Sequence, residues 1–497
     1  MTGSAGSPAE EFDVVLIGAG IMSTTLGALL NELEPTWSIA LLEGLGEAGL
    51  ESSHPWNNAG TGHAGLCEFN YTPRRPDGSV DPGSAISINE QFQASLQYWA
   101  HLVETGHLTE PASFIRTVPH FGFARGADGV DYLRARHRAL SGHPLFDGTV
   151  YSDVPEQLAQ WLPLMFADRQ SGPAVAVTRN AGGTDVNYGA IAARLATALS
   201  ESGCLVGYRH RVTNLRQAGQ HWMLDVETPS GHRRLRAKHV FVGAGGGTLP
   251  LLQKAGIPEI RGYAGFPISG RFLRTDNPAL VSRHRAKVYG HAASGTPSVS
   301  VPHLDLRIVG GREYLLFGPF AAFSPRFLKT GALSDLPRSV TPGNLGTLLS
   351  AAGTNASLVS YLVRQILQSV DGRLAALREF VPQADGADWE LLTAGQRVQT
   401  VKRVGGHGSI TGFGTEVVVS AGGTLAGLLG ASPGASASVS ILLEVLRACF
   451  PTRFEGWQRT LRGLMPALDG QRAPSGFRSS DSERARRILG LDVTAGR

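Results

Sequence analysis

The run Phe12-Asp13-Val14-Val15-Leu16-Ile17-Gly18-Ala19-Gly20-Ile21-Met22-Ser23 constrains the fold more than any other stretch. A β-rich apolar segment enters a glycine turn, and from Ile21 to Leu33 apolar residues recur at helical spacing. That pattern predicts strand, tight turn, helix. In such a unit Gly18 makes the turn, and Gly20 lets the backbone approach a pyrophosphate held at the positive helix N-terminus. Ser23 stands where the fingerprint has a third small residue for close helix-to-strand packing. The second strand, Trp37 to Leu42, ends in Glu43, at the distance where an acid accepts hydrogen bonds from an adenosine ribose. A carboxylate there disfavours a 2′-phosphate, so the expected cofactor is FAD or NAD and not NADP.

Beyond Glu43, the stretch Glu51-Ser52-Ser53-His54-Pro55-Trp56-Asn57-Asn58-Ala59-Gly60-Thr61-Gly62-His63-Ala64-Gly65 is too polar and glycine-rich for a core. Small residues, amides and one aromatic suit backbone lying against a flat, hydrogen-bonding ring. An isoalloxazine is such a ring, and the flavin reading is favoured over a surface loop. A second strand ending in glycines, His239-Val240-Phe241-Val242-Gly243-Ala244-Gly245-Gly246-Gly247, follows far downstream. It allows a second dinucleotide site, or a strand beside the first whose glycines flank the same cofactor. No ribose acid follows a further strand and no paired cysteines stand ready to pass electrons on, which favours the shared site. Near the C-terminus a strand over Gly414 to Val419 precedes a turn that opens a helix from about Ala435 to Leu446. Unpaired amides at that start would suit the pyrimidine edge of a flavin.

At 497 residues, two interleaved domains are expected. The predicted class is α/β (α+β overall), with a Rossmann-like FAD-binding domain interleaved with a mostly antiparallel sheet substrate domain that roofs the cofactor. Residues 11–75, 181–255 and 396–450 are assigned to the first, and residues 76–180 and 256–395 to the second. Helices are predicted over Ile88 to Val103, Leu358 to Gln368 and Arg373 to Phe380, and strands over Val299 to Leu304, Arg307 to Val309 and Tyr314 to Phe317. Residues 1–10 are expected to form a loose N-terminal tail and residues 451–497 a basic C-terminal tail.

The tail holds nine arginines against five acids, an excess as large as the +4 of the whole chain. Such a tail can dock on anionic headgroups or form a solvated helical face. No apolar stretch is long enough to span a bilayer, so any membrane contact is peripheral. Cys67, Cys204 and Cys449 are too widely spaced for a metal motif or a disulfide framework, so no metal is expected. Met1 to Glu11 lacks the basic and apolar regions of a signal peptide, and a cytoplasmic location is expected. Nucleic-acid binding is disfavoured, because no recognition motif is present and the arginine-rich tail has few aromatics.

These residues resemble the malate:quinone oxidoreductase family. The resemblance rests on Gly18 to Ser23, Glu51 to His63, Asn70-Tyr71-Thr72-Pro73, Val242 to Gly247, Ala286-Lys287-Val288-Tyr289-Gly290 and Val301-Pro302-His303-Leu304-Asp305. Leu316 to Phe320, Gln396-Arg397-Val398-Gln399, Phe413 to Val417 and Leu429 to Ser436 complete it. Two departures are visible: Val404 to Ser409 does not follow the family pattern, so His407 inherits no role, and Gly44 follows the ribose acid where the family often has a basic residue.

The resemblance implies FAD as cofactor and oxidation of (S)-malate to oxaloacetate by hydride transfer to flavin N5. Electrons would then pass to a membrane quinone, feeding the respiratory chain from the tricarboxylic acid cycle on the inner face of the cytoplasmic membrane. Alternatives are a related dehydrogenase or oxidase of 2-hydroxyglutarate and a non-catalytic flavoprotein. The chemistry needs a base, for which a histidine suits, and His63 and His303 are equal candidates. It also needs cations for two carboxylates. Arg397 and Lys287 lie in matching motifs, with Lys402 in reserve and Tyr263 as a further hydrogen-bonding candidate. The expected cofactor contacts are Gly18, Gly20, Ser23, Glu43, Asn57, Asn58, Gly60, Thr61, Gly243, Gly245, Gly434, Ala435 and Ser436.

Overall fold

The structure is a computed structural model that describes residues 9–169, 172–291, 301–354, 368–410, 414–430, 434–466 and 479–491. The expected opening unit is present as β1 (Glu10–Ile17), α1 (Ile21–Leu33) and β2 (Ile39–Glu43). β1 pairs in parallel with β2 on one side and with the strand Gly231–Val242 on the other. Leu205–Tyr208 extends the layer beyond β2, and Leu425–Gly430 extends it beyond Gly231–Val242. A strand in the middle of a parallel layer is buried on both faces, which is why it reads as an unbroken apolar run. Val14 and Leu16 pack with α1 in one core, while Val15 and Ile17 point into a second core on the other face.

The second glycine-ended strand is therefore the immediate neighbour of the first, with Ile17 opposite Val242. Their turns meet. Gly18 has φ +88°, and a Cβ there would lie 2.7 Å from the Gly243 carbonyl oxygen. The two turns form one composite glycine wall.

Among the described residues the second sheet has nine strands. In spatial order they are His407–Ile410, Glu390–Val404, Ala264–Thr275, Arg312–Phe323, His303–Val309, Lys287–Gly290, His120–Arg125, Val175–Asn180 and Val150–Ser152. All its pairings are antiparallel except that of Lys287–Gly290 with His120–Arg125. Leu304, Leu306, Leu315 and Phe317 face a separate core behind this sheet.

Several expected boundaries move. The strand Glu390–Val404 runs through position 396 and pairs with Ala264–Thr275 from Glu390 to Val401, so Gln396 and Arg397 belong to the roof. The chain rejoins the nucleotide sheet only at Thr415–Val419. α2 (Gly83–Glu104), assigned by position to the roof, instead packs Phe92, Leu96 and Trp99 into the core that holds Leu29 of α1 and Val439. The C-terminal segment is docked, because the helix Pro451–Leu464 buries Phe454, Trp457 and Leu461 in that same core. The late helix begins at Ser438 and not at Ala435. The two short strands expected before and after Asp305 are one strand, His303–Val309. Most of the helix expected over Leu358 to Gln368 lies outside the described residues, as do position 413 and positions 431–433 of two quoted motifs.

Candidate active site

The two sheets enclose a cavity of about 1130 Å³, lined from one side by the glycine turns and from the other by the roof. This is larger than the usual small-molecule pocket of roughly 300–1,000 Å³, as a dinucleotide with a substrate requires.

At the nucleotide end, Gly18, Gly20, Glu43, Gly243 and Gly245 all line the wall. Glu43 is anchored: Oε2 accepts the Ala19 N–H at 2.6 Å and Oε1 accepts the Leu45 N–H at 2.8 Å. Gly20 has no side chain to cap α1, and Ser53 Oγ accepts the Ile21 N–H at 3.0 Å in its place. Ser23 does not line the cavity. It is wholly buried, and a Cβ on Gly243 would overlap its hydroxyl, so its smallness lets α1 approach the neighbouring strand.

Asn57, Asn58, Gly60 and Thr61 line the cavity, yet both asparagine side chains are occupied in shaping their own loop. Asn57 Nδ2 donates to the Glu51 carbonyl at 2.8 Å, and its Oδ1 accepts from Lys329 Nζ at 3.0 Å. Asn58 Nδ2 donates to the Ser52 and His54 carbonyls, while its Oδ1 accepts the Gly60 N–H at 2.9 Å. The loop therefore presents backbone to a ligand.

A buried ionic knot supports that loop from behind. Asp185 pairs with both Arg307 and Lys287, the latter at 2.9 Å. Lys287 Nζ also donates to the Ala59 carbonyl at 2.8 Å, and Arg307 donates to the Pro55 carbonyl at 2.8 Å. Lys287 is completely buried and does not line the cavity, so the structure does not bring it to the expected substrate site. Tyr263 is likewise absent from the wall. Its hydroxyl donates to Glu416 at 2.6 Å, and Lys402 pairs with the same carboxylate at 2.7 Å.

Arg397 behaves differently. It lines the cavity and exposes its side chain to the cavity space, and that side chain makes no hydrogen bond or ion pair with any other described residue. Enclosure by protein lowers its pKa, opposed by the nearby phenols of Tyr289 and Tyr71. Tyr71 stands edge-on to His63, with ring centres 6.4 Å apart, and Tyr289 stacks flat on His303 at 4.5 Å. Each tyrosine therefore links Arg397 to one of the two candidate histidines.

Both histidines line the cavity, and each has a buried acid behind it. His63 Nδ1 is hydrogen-bonded to Glu68. Burial pushes the Glu68 carboxyl up, but the charge and hydrogen bond of His63 outweigh it and hold it at about 2. His303 Nδ1 lies 2.6 Å from Asp305 Oδ2, close but turned out of line for a hydrogen bond. Burial also opposes ionisation of Asp305, and His303 and Lys287 together lower its pKa.

Gly434, Ala435 and Ser436 line the wall. The Ser436 hydroxyl is engaged internally. It accepts the His63 N–H at 3.0 Å and meets the Tyr188 hydroxyl at 2.6 Å, tying the turn before the late helix to the loop.

Glu68, Tyr71, Asp185, Tyr289, Asp305 and Arg307 were not singled out from the sequence. The signal for two of them was alternation: Asp305 and Arg307 continue from His303 a row of polar residues at every second position, with the apolar Leu304 and Leu306 between them. A strand with one apolar face and one charged, buried face points its charges at something built.

The family profile described as malate:quinone oxidoreductase matches residues 10–486. The chain belongs to this family. A probable malate:quinone oxidoreductase of Micrococcus luteus is 54% identical over 459 residues, covering 92% of this chain and 93% of that one. One from Mycobacterium tuberculosis is 51% identical over 462 residues, covering 92% and 94%. Among solved structures, glycine oxidase from Geobacillus kaustophilus superposes with a TM-score of 0.59 at 15% identity, covering 88% of this chain and 95% of that one. An L-α-glycerophosphate oxidase from Mycoplasma pneumoniae with FAD bound gives 0.56 at 13% identity, covering 88% and 95%. These two likenesses concern the fold. With the family it belongs to, the chain is an FAD-dependent oxidoreductase, and the glycine wall, the anchored Glu43 and the cavity's size fit that cofactor.

Proposed function

We propose that the protein oxidises (S)-malate to oxaloacetate at the roof end of the cavity and passes the electrons to a membrane quinone. The observation that carries this reading is Arg397, a guanidinium with no partner acid among the described residues, held over a cavity between two histidine–carboxylate couples. Its guanidinium faces the cavity with no counter-ion from the described residues, and a substrate carboxylate received by its planar fork supplies one. Tyr71 and Tyr289 remain neutral donors beside it, since burial raises both phenols above their ordinary value.

FAD, when bound along the glycine wall, supplies a hydride acceptor at flavin N5. We assign the base to His63. Glu68 stays ionised and accepts the proton on Nδ1, which leaves Nε2 as the basic ring nitrogen for the malate hydroxyl proton. The misaligned Asp305 contact gives His303 no such fixed tautomer, and its flat stacking on Tyr289 suits a wall. Gly18, Gly20, Glu43, Asn57, Asn58, Gly60, Thr61, Gly243, Gly245, Gly434 and Ala435 would meet the cofactor directly. Lys287 would act by holding the Ala59 carbonyl. Entry of electrons from the tricarboxylic acid cycle into the respiratory chain, at the inner face of the cytoplasmic membrane, follows from this reading.

An anaerobic visible spectrum of the purified protein tests it. Bleaching by (S)-malate but not by (R)-malate, lactate or 2-hydroxyglutarate, reversed by a soluble quinone, is the expected result. A yellow protein bleached by a different acid replaces the substrate, and one that no acid bleaches refutes the catalytic reading.

A further inference from the structure

We propose that the exposed face of the helix Pro342–Thr354 docks the protein on an anionic lipid bilayer, beside the mouth of the cavity. This helix has thirteen residues and none is charged. Its inward side is Asn344, Thr347 and Ala351. One turn apart on the other side stand Leu345, 47% exposed, and Leu349, 67% exposed. A single exposed leucine is ordinary. A surface helix that turns leucines to solvent and has no charge on that face is not, because the solvent side of an amphipathic helix is normally its charged side.

The surroundings extend the patch. The roof hairpin formed by Glu390–Val404 and His407–Ile410 is tied to the helix by the Gly408 N–H to Ser350 Oγ at 2.8 Å and by Thr354 Oγ1 to the Gly408 carbonyl at 3.1 Å. Its tip carries Val404, 55% exposed. Arg403 lies against the helix at Gly346, and Arg338 stands just before it. Arg261 adjoins Gly262, whose Cβ position is 3.9 Å from the Gly343 carbonyl. All three arginines are exposed, and none is paired with an acid among the described residues. An apolar helix face ringed by unpaired arginines matches the boundary between acyl chains and anionic headgroups.

The C-terminal helices lack this character. Arg453 pairs with Glu34 and Arg484 with Glu104, each at 2.7 Å, and Phe454 and Trp457 are buried in the core. The position of the Leu345 face also suits a lipid-soluble electron acceptor. Leu328, Arg338 and Thr341, in the segment leading into the helix, line the cavity. Docking there brings the cavity rim to the lipid surface; this last point rests on the proposed function, whereas the docking does not.

The test uses the full chain with its cofactor and vesicles of phosphatidylcholine with or without phosphatidylglycerol, read by co-sedimentation. Wild type is expected to bind the anionic vesicles, and Leu345→Glu/Leu349→Glu to bind at least about tenfold more weakly, with Leu345→Ala/Leu349→Ala intermediate and Arg403→Glu weaker than wild type. Malate-driven reduction of a water-soluble dye should be the same in all, while turnover of a vesicle-embedded quinone falls in the glutamate variant. Unchanged vesicle binding by the glutamate variant, or no binding by wild type, overturns the docking face. So does light scattering that shows a wild-type dimer converted to monomer by the same variant, which assigns the face to a second copy. Vesicle binding without malate-driven dye reduction refutes the proposed activity and leaves the docking face standing.

Discussion

Gly60 and Arg307 share one space: a Cβ on Gly60 would fall within the Arg307 guanidinium, which presses on the loop while pairing with Asp185. Gly60 also has φ +61°, which a side chain rarely adopts. The loop over residues 55–61, whose residues 57–61 line the cavity, is thus held from behind by a buried cation and shaped by the lack of a side chain at Gly60. Gly60→Ala is expected to displace the wall and empty the protein of FAD. Arg307→Ala leaves Lys287 as the remaining partner of Asp185 and should cost about 3–5 kcal/mol, the range for breaking a buried ion pair. Urea denaturation together with the flavin-to-protein absorbance ratio measures both. Full flavin content and unchanged stability in either variant would show that the knot does not support the loop.

Arg397 has no partner to lose, so its replacement should spare the fold. Arg397→Gln is expected to keep its FAD and its melting temperature while kcat/KM for malate falls at least about 30-fold, equivalent to about 2 kcal/mol of a buried charge contact. Arg397→Lys should recover only part, because a point charge cannot form the bidentate contact. Steady-state kinetics with a soluble acceptor decide the matter; a glutamine variant with wild-type kcat/KM removes Arg397 from substrate binding.

His63→Asn should lower kcat by about 10²–10⁴, the usual contribution of a positioned base, and His303→Asn by much less. Glu68→Gln should give an intermediate loss of kcat/KM, since the hydrogen bond that orients His63 is lost. The reverse order of effects for the two histidines would move the base to His303.

Stability should fall on the acid side in two windows. His120 and His284 are buried, and desolvation depresses each from 6.5 to about 4. The unfolded chain then binds their protons more readily than the native one, so stability present above about pH 6.5 is lost as pH falls towards 4, by on the order of 3 kcal/mol each. Glu68, ordinarily near 4.5 and held at about 2, contributes stability present above pH 4.5 and lost as pH falls towards 2. Urea midpoints across pH 4–8 should show the first window, and the double variant His120→Asn/His284→Asn should flatten it. A wild-type midpoint that does not change between pH 6.5 and 4 contradicts the assignment.

Truncation after Phe450 removes Phe454, Trp457 and Leu461 from the core shared with α2 and the late helix. The truncated chain is therefore expected to lose several kcal/mol of stability, at roughly 1.5–3 kcal/mol for each large side chain, and to aggregate or melt far lower. A truncated protein as stable as the full chain would mean that the helix Pro451–Leu464 adds nothing to that core.

The local part of the fold was readable along the chain. β1, α1 and β2 follow from periodicity and a glycine turn, and Gly18, Gly20 and Glu43 line the cavity. Domain boundaries were less readable. Position 396 looked like a return to the nucleotide domain, but it lies inside a strand whose partner is more than a hundred residues earlier, and α2 is assigned to its core by contacts that no local pattern reveals.

The same divide runs through the site. The sequence determined which side chains are available: two histidines, several cations, a glycine-rich loop with amides, all in motifs of one family. It could not say which of them had partners. Lys287 and Arg397 are equally plausible clamps in one dimension, and strand register separates them. Lys287 faces Asp305 across one strand pair and meets Asp185 from another element, so its charge is consumed inside the wall. Arg397 lies opposite Ile268, in a strand where no described acid reaches it, so its charge remains for a ligand. An ion pair is decided by where two distant segments place their side chains, and a charge becomes functional when folding leaves it unanswered.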